Sequence, residues 1–515
     1  MNLAKAALHA RYDPARSAHP AYLTAEGPVS NAQFQSMVLA FAAELAQLGA
    51  RPGDRILLRM VNSIEFAAAF LAAIWVGAIP VLQNSQLGHS ELSHIVALSQ
   101  PTLFLLSQRL RADPAIAGLQ PGARRLIVTR AGLTDLAGAR VSTTSTKVPA
   151  PFDAERHAEA FIVFTSGTTG KPKGVVHAHR WLAALGDSNR ARVPPQAGDV
   201  VLATGEWSFI SALGHNVLFP LRNGTTGSIM EDRAAPERIL QTVERDRVTL
   251  LHSVATLYRR ILATPGIERR YDLRSLRGCN STGEPLEDSV RREWQARFGC
   301  PIWEHYGISE AQMVIGDGPG IEKREGSTGR PWGARVAIVD ESLAELPRGE
   351  VGTLAFGAEY PGFFLGYLGD EKLTKATVRG GYFVTSDLAR MDDDDYVTIV
   401  GRADDCFKSK GVLIAPRELE DAILGLGDFA EACVFAIPDR EIGNRIGAAV
   451  VPRGGAAAKP ADAAMLAQAL AGRIAPFKLP HRVLVLPELP KNANGKTQRS
   501  QVARLALARD GVAST

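Results

Sequence analysis

A glycine-rich loop directly after a short apolar run is the feature that most constrains how this chain can fold. Residues 165–174 read Thr-Ser-Gly-Thr-Thr-Gly-Lys-Pro-Lys-Gly, and they follow the apolar run Phe161–Phe164. Glycines let backbone N–H groups approach phosphate closely, hydroxyls donate further hydrogen bonds, and Lys171 and Lys173 add positive charge. The pattern predicts a buried strand that opens into an oxyanion-binding loop. The alternative is a flexible, solvated linker.

This loop differs from the common nucleotide-binding P-loop, which reads Gly-x-x-x-x-Gly-Lys-Ser/Thr. The spacing from Gly167 to Gly170 is too short for that motif, and Pro172 follows the first lysine. Because proline has no N–H and cannot extend a helix interior, the loop is predicted to be the tip of a hairpin-like flap. The candidate anion contacts are Thr165, Ser166, Gly167, Thr168, Thr169, Gly170, Lys171 and Lys173.

Composition favours a large globular protein of the ordinary kind. Of the 515 residues 46% are hydrophobic and 22% are charged, with a net charge of +4. So weak a charge suits small polyanions such as ATP or coenzyme A, and no basic tract indicates nucleic acid. The four scattered cysteines form no Cys-x-x-Cys pair and favour a reducing compartment. The longest apolar stretch, Phe66–Val76, is too short to span a bilayer, and residues 1–16 resemble no signal peptide, so a cytoplasmic protein is expected.

Alternating patterns predict an α/β fold with several layers. Helix-like and strand-like segments alternate through residues 1–150 and again after the glycine-rich loop, which favours mostly parallel sheets. From Gly326 to Val400, glycines recur between short β-rich segments, which predicts a small, strongly turned β-structure. The tail after Arg402 has the pattern of a compact α/β unit.

Five separated segments carry a more specific signal. In order they are Thr165–Gly174, Tyr306–Glu310 (Tyr-Gly-Ile-Ser-Glu), Tyr382–Asp387 (Tyr-Phe-Val-Thr-Ser-Asp), Gly401–Gly411 (Gly-Arg-Ala-Asp-Asp-Cys-Phe-Lys-Ser-Lys-Gly) and Pro490–Lys496 (Pro-Lys-Asn-Ala-Asn-Gly-Lys). On these segments, and over nearly its whole length, the chain resembles the AMP-forming (adenylate-forming) acyl-CoA synthetase superfamily. Its overall sequence pattern is similar to that of the benzoate-CoA and aminobenzoate-CoA ligase branch.

The resemblance implies a reaction in two steps. A carboxylic acid is joined to ATP as an acyl-adenylate with release of pyrophosphate, and a thiol, usually that of coenzyme A, then displaces AMP. Adenylation removes the carboxylate charge and installs a good leaving group, which requires cationic and N–H donors around the phosphates. The implied cofactors are ATP, Mg²⁺ and coenzyme A. The implied architecture is a large N-terminal domain over residues 1–402, with two α/β sheets and a small β-barrel-like part, and a smaller mobile α+β domain over residues 403–515.

By the same resemblance, the glycine-rich loop wraps the β- and γ-phosphates, Tyr306 stacks on adenine and the Ser309 hydroxyl contacts the α-phosphate. Ser309 stands where the family usually has threonine, and serine keeps the hydroxyl. Glu310 helps to hold Mg²⁺, a hard cation that prefers carboxylate and phosphate oxygens. The other implied cofactor-binding positions beside these are Gly283, Glu284, Glu304, His305 and Gly307.

Two residues are assigned to the ribose. Asp387 resembles the carboxylate that accepts hydrogen bonds from both ribose hydroxyls, a strong charge-assisted pairing, and Arg402 resembles a second ribose contact. Ser386 stands where the family usually has glycine, and serine does not reach φ > 0 freely. The alternative for Asp387 is that it only starts the acidic turn Asp392–Asp395.

The C-terminal segments resemble a catalytic lid. Asp404 matches the hinge, and Lys496 matches the lysine that the lid brings over the reacting carboxylate and α-phosphate. The lid then rotates, which removes Lys496 and presents Gly411 and its neighbours to form the pantetheine tunnel. A lysine after Asn-Gly is otherwise an ordinary surface residue in a turn.

The acid-binding pocket is less readable from sequence. The stretch Trp207–Pro220 resembles the segment that carries an aromatic wall beside the acyl group, and within it Phe209, Trp207 and His215 are the candidates. The alternative is that Trp207 and Phe209 are plain core residues. A flat aromatic acid suits a narrow slot between Phe209 and the Gly283 backbone, and a short or medium alkyl chain remains an open alternative.

Three functions stay open at this point. The first is an acid:CoA ligase for an aromatic or short- to medium-chain acid. The second is an enzyme of the same superfamily that loads a separate carrier protein. The third, a nucleotide-binding protein without ligase activity, has no use for Lys496 or a hinge. The expected partners are a small carboxylic acid, ATP and coenzyme A, with no nucleic acid, no membrane span, and a monomeric or homodimeric state.

Overall fold

The computed structural model describes residues 1–9, 17–141, 147–165, 171–232, 234–439, 441–453, 462–491 and 497–508. Three sheets form a large body, and a hairpin and a further sheet belong to the C-terminal part. Two of the body sheets are large and mostly parallel, as the alternating pattern predicts.

The first sheet has eight strands and carries the apolar strand before the glycine-rich loop. Across the sheet, the strands are Gly366–Tyr367, Lys173–Ala178, Glu159–Thr165, Ile79–Leu82, Arg55–Arg59, Leu103–Ser107, Arg124–Thr129 and Gly132–Thr134. The four central neighbours from Ile79–Leu82 to Arg124–Thr129 are parallel, while Glu159–Thr165 and Lys173–Ala178 form an antiparallel hairpin.

The second sheet has nine strands and carries most of the remaining motifs. Across it, the strands are Arg330–Pro331, Gln312–Gly316, Ile302–Ile308, Gly278–Thr282, Leu250–Ser253, Val200–Ala203, Thr226–Ser228, Pro20–Thr24 and Gly27–Ser30. The run from Thr226–Ser228 to Ile302–Ile308 is parallel. Ligand sites in such sheets lie outside the carboxyl ends of the strands, and here those ends include residues 282 and 308.

The helices pack on these sheets because their apolar positions face inward. Helix Ile64–Trp75 begins at Ser63, whose side chain accepts a hydrogen bond from the Phe66 N–H, and ten of its residues are buried. A helix that is apolar all round belongs in a core. The α-helices are Leu3–His9, Asn31–Gln47, Ile64–Trp75, His89–Ser99, Trp181–Arg192, Ile210–Ala212, Phe219–Asn223, Pro236–Asp246, Ala255–Leu262, Asp288–Phe298, Glu371–Thr377, Pro416–Leu424, Ala463–Ala469 and Arg499–Ala508.

Shorter helical turns complete the described elements. The 3₁₀ turns are Gln108–Leu110, Pro114–Ile116, Ile267–Arg269 and Pro476–Lys478, and residues Leu213–Leu218 form a π-helical turn. No helix in the described ranges is long and apolar enough to cross a membrane.

The predicted strongly turned β-structure is a five-stranded antiparallel sheet. Its strands are Val336–Val339, Gly352–Gly357, Tyr382–Met391, Val378–Arg379 and Val397–Arg402. The C-terminal part contains the hairpin of Phe407–Ser409 with Val412–Ile414 and the sheet of Phe429–Asp439, Gly443–Pro452 and Arg482–Val485. Ile414, Leu419 and Val434 belong to an apolar cluster of this part, separate from the body cores.

Candidate active site

The strands on either side of the glycine-rich segment form an antiparallel hairpin. Thr165 pairs with Lys173 in the last register position of the two strands. The imidazole of His94 donates from Nε2 to the Pro172 carbonyl oxygen at 3.1 Å, which anchors the returning strand. The predicted contacts Ser166, Gly167, Thr168, Thr169 and Gly170 lie outside the described residues; Lys171 is exposed and Lys173 is half-buried.

Glu310 lies half-buried next to this hairpin. The Tyr367 hydroxyl donates to its Oε1 at 2.6 Å, and the Lys173 Nζ lies 5.7 Å from the centre of the Tyr367 ring. Burial raises the pKa of Glu310, while Tyr367, Lys173 and Arg402 oppose that rise. Glu310 is therefore a half-buried carboxylate with cationic neighbours, which suits an oxygen-seeking cation shared with phosphate.

Tyr306, Asp387 and Arg402 come together near Glu310. The Tyr306 ring stacks on Phe356 at 6.2 Å between centroids, and its hydroxyl donates to Asp387 Oδ2 at 2.5 Å. Asp387 and Arg402 are direct partners in the antiparallel pairing of their strands. Burial first, and then the Asp387 carboxylate, raise the pKa of Tyr306 well above its ordinary value. Strand register thus places the two predicted ribose contacts side by side.

The Tyr-Gly-Ile-Ser-Glu segment turns at an irregular pairing. The register between the strands Ile302–Ile308 and Gln312–Gly316 shifts at Tyr306 and Gly307. A Cβ atom on Gly307 would lie 2.4 Å from the Gln312 backbone oxygen, so only glycine fits there. Ser309 and Glu310 follow in the tight connection between the strands, where both are half-buried.

Glu284 and Glu304, which the resemblance counts among the cofactor contacts, have their carboxylates engaged elsewhere. Glu284 accepts from the N–H of Thr256 and, at 2.9 Å, from its hydroxyl, so it fixes the turn that contains the exposed Gly283. Glu304 lies 3.4 Å from Lys323 and 3.5 Å from Arg417. Both carboxylates thus have protein partners, and their assignment as cofactor contacts stays a prediction.

The predicted acyl-pocket segment divides into two environments. Trp207 is 1% exposed, and its ring packs against Phe66 at 5.7 Å and Tyr22 at 6.4 Å between centroids. It therefore packs as a core residue, which favours the alternative over its assignment to the pocket. Phe209 is half-buried, and His215 is buried on the π-helical turn.

The connection to the C-terminal part follows Arg402 directly. Asp404 is exposed, and its Oδ2 lies 3.3 Å from Arg402 Nη2. Gly411 lies at the turn of the hairpin that follows, where φ is +51° at Lys410 and +79° at Gly411, as in a type I′ turn. The predicted catalytic residue Lys496 lies outside the described residues; Lys491 and Thr497 on either side of its segment pair as an isolated bridge.

Polar contacts hold the C-terminal part against the body. Besides its ion pair with Glu304, Arg417 donates from Nη1 to the Ile399 carbonyl oxygen at 3.1 Å. Arg453 Nη1 lies 3.9 Å from Glu293. Partial burial raises the pKa of Asp421 to about 7. Arg417 opposes this rise, and the carboxylates of Glu287, Glu420 and Glu304 add to it. We call Arg417, Glu304 and Asp421 the docking contacts.

Several of these residues carried no signal in the sequence. Tyr367, Lys323 and Arg417 each reach a motif residue from a distant segment, so their roles depend on packing. The start of helix Asn31–Gln47, by contrast, could have been read from Ser30 and Gln33, which form a capping box.

Family models match both the body and the C-terminal part of the chain. The family model for AMP-binding enzymes matches residues 10–368, and that for their C-terminal domain matches residues 418–496. A benzoate–CoA ligase from Thauera aromatica is 31% identical over 457 residues, which are 88% of this chain and 86% of that protein.

Solved structures resemble the whole chain. An anthranilate CoA ligase in complex with anthranoyl-AMP matches with a TM-score of 0.91 at 25% identity, covering 99% of this chain and 98% of that one. MatB from Rhodopseudomonas palustris matches at 26% identity, covering 98% of this chain and 99% of that one, with a TM-score of 0.87 in its ATP-bound form and 0.78 in its apo form. Identity and coverage are equal for the two forms, so the difference between the two TM-scores reflects a difference in conformation. The conformation of this chain is nearer to that of ATP-bound MatB.

Proposed function

The chain belongs to the family of AMP-binding enzymes, and from that premise we propose that it is an ATP-dependent acid:coenzyme A ligase. It activates an aromatic or short- to medium-chain carboxylic acid as an acyl-adenylate and transfers the acyl group to coenzyme A. One observation carries the proposal. Tyr306, Asp387 and Arg402 contact one another, and Glu310 lies near Tyr306, Arg402 and Lys173, so the groups suited to ribose, adenine and phosphate converge.

In the first step these residues hold the nucleotide phosphates and the carboxylate of the acid together. Lys173 and the hairpin compensate the phosphate charge, while Asp387 and Arg402 fix the ribose and so orient the α-phosphorus toward the acid. The Tyr306 hydroxyl already donates to Asp387 at 2.5 Å, and this contact keeps the carboxylate in place for the ribose hydroxyls. The Ser309 hydroxyl would donate to the α-phosphate.

The residues present fit a magnesium ion. Glu310 supplies one half-buried carboxylate with cations nearby rather than a full cage of ligands, and Mg²⁺ in nucleotide sites is held by one or two carboxylates and by phosphate oxygens. When bound, the ion neutralises phosphate charge. Glu310 would hold it, and Tyr367 would hold Glu310.

The second step uses the C-terminal part in another orientation. Lys496 acts in the first step and is withdrawn before coenzyme A attacks. Val412 and Leu413, beside Gly411, are 39% and 42% exposed in the present arrangement. Burying these apolar side chains against the body would favour rotation of the hairpin toward the pantetheine. Their exposure here supports the assignment of this arrangement to the first step, as does the likeness to ATP-bound MatB.

The named relatives favour an aromatic acid, because one is a benzoate–CoA ligase and another is an anthranilate CoA ligase. Delivery of the acyl group to a carrier protein is the second candidate, since it needs the same first step. All four cysteines are free thiols, which supports a reducing compartment, and we propose the cytoplasm.

The proposal is tested by following AMP and pyrophosphate release across benzoates, aminobenzoates, hydroxybenzoates and straight-chain acids. We expect AMP release that depends on both an acid and coenzyme A. If AMP is released only when a phosphopantetheinylated carrier is added, the second candidate replaces the first. If no acid supports release of pyrophosphate, ligase activity is contradicted.

A further inference from the structure

A histidine side chain contacts the backbone where the chain returns from the glycine-rich segment. His94 lies in the helix His89–Ser99 and is half-buried. Its Nε2 lies 3.1 Å from the Pro172 carbonyl oxygen, and because a carbonyl oxygen only accepts, the imidazole donates. The hydrogen bond joins positions 78 residues apart in the chain, so it ties the helix to the start of the strand Lys173–Ala178.

The position of this hydrogen bond matters because residue 172 is a proline. The proline ring fixes φ at about −65°, so ψ is the main backbone torsion that can still vary at this residue. Rotation about ψ changes the direction of the Pro172 carbonyl oxygen and, with it, the direction in which the chain continues to Lys173. A donor held at this oxygen therefore selects one value of ψ and one path of the chain out of the glycine-rich segment.

Lys173, the next residue, extends toward the proposed phosphate site. It pairs with Thr165 in the last register position of the hairpin, and its Nζ lies 5.7 Å from the centre of the Tyr367 ring. The Tyr367 hydroxyl donates to Glu310 at 2.6 Å. Lys173 is also close enough to Glu310 to oppose the rise in the pKa of that carboxyl group. The ammonium group that follows Pro172 thus lies near the carboxylate proposed to hold Mg²⁺.

The helix that carries His94 is itself packed against the hairpin. Two of its residues, Leu92 and Ile95, are fully buried and belong to the same apolar cluster as Phe164 and Val176 of the two hairpin strands. Buried apolar contacts of this kind are close-packed and hold neighbouring elements at a fixed separation. The donor and the acceptor of the hydrogen bond are therefore both attached to one core, and His94 acts as a fixed support for the backbone.

We propose that His94 is a positioning residue for the first step, which holds the Pro172 carbonyl oxygen and so directs Lys173 toward the β- and γ-phosphates of ATP. It acts through the backbone and does not touch the nucleotide. AMP has neither of these phosphates, so the loss of His94 should weaken binding of ATP and spare binding of AMP. This inference rests on the proposed ligase function and adds a residue that supports its phosphate site.

The test compares the affinity for ATP with the affinity for AMP, each measured by titration calorimetry with Mg²⁺ present and without acid or coenzyme A. His94→Leu removes the donor, and the Kd for ATP should rise by about three- to tenfold, the range expected for the loss of one hydrogen bond. The Kd for AMP should stay within about twofold of the wild-type value. A merely structural role of His94 would weaken both nucleotides alike.

Two polar variants separate the lost donor from a change in packing. Glutamine places an amide nitrogen near the position of Nε2, so His94→Gln should keep the Kd for ATP within about twofold of wild type. Asparagine is shorter and reaches only the position of Nδ1, so His94→Asn should weaken ATP as His94→Leu does. His89→Leu is the matched control and should change neither Kd, because His89 Nδ1 lies 3.1 Å from the Ala115 carbonyl oxygen and that bond belongs to the same helix but not to the hairpin.

Several results would overturn the inference. One is an unchanged Kd for ATP in His94→Leu or, if that variant does not fold, in His94→Asn. Others are an equal loss of affinity for ATP and AMP, an equal effect of His89→Leu, and His94→Gln binding ATP no better than His94→Asn. Wild-type protein that binds neither ATP nor AMP would instead contradict the proposed ligase function itself.

Discussion

The nucleotide side of the body and the C-terminal part that closes over it are held by different kinds of contact. On the body, strand pairing sets Asp387 opposite Arg402, and a stacked ring, Phe356, supports Tyr306. The C-terminal part has its own apolar core and meets the body through polar contacts such as Arg417 with Glu304 at 3.5 Å.

The difference fits the proposed mechanism. In that mechanism AMP stays in place through both steps, so its contacts belong on a rigid sheet. A lid that serves two transition states would have to leave each docked position, and a large apolar interface would hold it in one. The Arg417–Glu304 pair is largely buried, so it fixes an orientation while its net contribution to stability is modest, because the desolvation cost offsets the attraction. Changes on the body should therefore affect both steps, and changes on the lid should affect one.

The largest expected effect is on the rate of the first step alone. Lys496→Ala should slow adenylation by about 10²–10³-fold, the usual range for the loss of one group that stabilises transition-state charge. The second step, started from supplied acyl-AMP, should be largely spared. Pyrophosphate exchange measures the first step and thioester formation the second. Lys491→Ala is the control, because that ammonium group is paired with Glu431 at 2.6 Å; adenylation within about threefold of wild type for Lys496→Ala contradicts the assignment.

The body side should respond in both steps. Asp387→Asn should raise the KM for ATP by about 10- to 100-fold, since it weakens charge-assisted hydrogen bonds to the ribose. It should also weaken binding of supplied acyl-AMP. Tyr306→Phe keeps the aromatic ring and leaves the Asp387 carboxylate intact, so it should change the KM for ATP far less. An unchanged KM for ATP in Asp387→Asn would show that Asp387 does not contact the ribose.

Loosening the docked lid should have a smaller effect, confined to the first step. Arg417→Met keeps the apolar stem but removes the ion pair with Glu304, and adenylation should fall by about three- to tenfold because the ATP-like arrangement is less populated. Arg453→Met, whose partner Glu293 is 3.9 Å away, should matter less. Equal slowing of both half-reactions by Arg417→Met would contradict a role in docking.

The smallest expected effect is a pH dependence of docking. The pKa of Asp421 is raised to about 7 in the docked arrangement. Protonation of Asp421 therefore stabilises docking. This contribution is fully present below the ordinary aspartate pKa of about 4 and is lost as pH rises through about 7. Between about pH 6 and pH 8, adenylation should therefore decline relative to thioester formation, by less than about threefold.

Asp421→Asn tests that dependence directly. An amide cannot titrate, so the ratio of the two half-reaction rates should become flatter across the same pH range. If the wild-type ratio rises with pH, or if Asp421→Asn keeps the wild-type slope, another group controls docking.

Local patterns accounted for much of the architecture and for the family. The hairpin after Phe161–Phe164 was predicted close to its observed position, because an apolar run followed by glycines and a proline constrains the backbone locally. The assignment of Asp387 and Arg402 to the ribose stays a prediction that rests on short, contiguous motifs. For Trp207 the structure favours the core alternative; the sequence left both open because a tryptophan in an apolar segment reads the same whether it faces a pocket or the core.

The sequence by itself determined the family and the short motifs that carry the proposed contacts to phosphate and ribose. Only the tertiary structure decided that Tyr367 supports Glu310, that Arg417 reaches Glu304, and that the rings of His215 and His252 lie 3.8 Å apart. The physical reason is that these contacts join positions far apart along the chain. Their distances are set by strand register and helix packing, which no local pattern records.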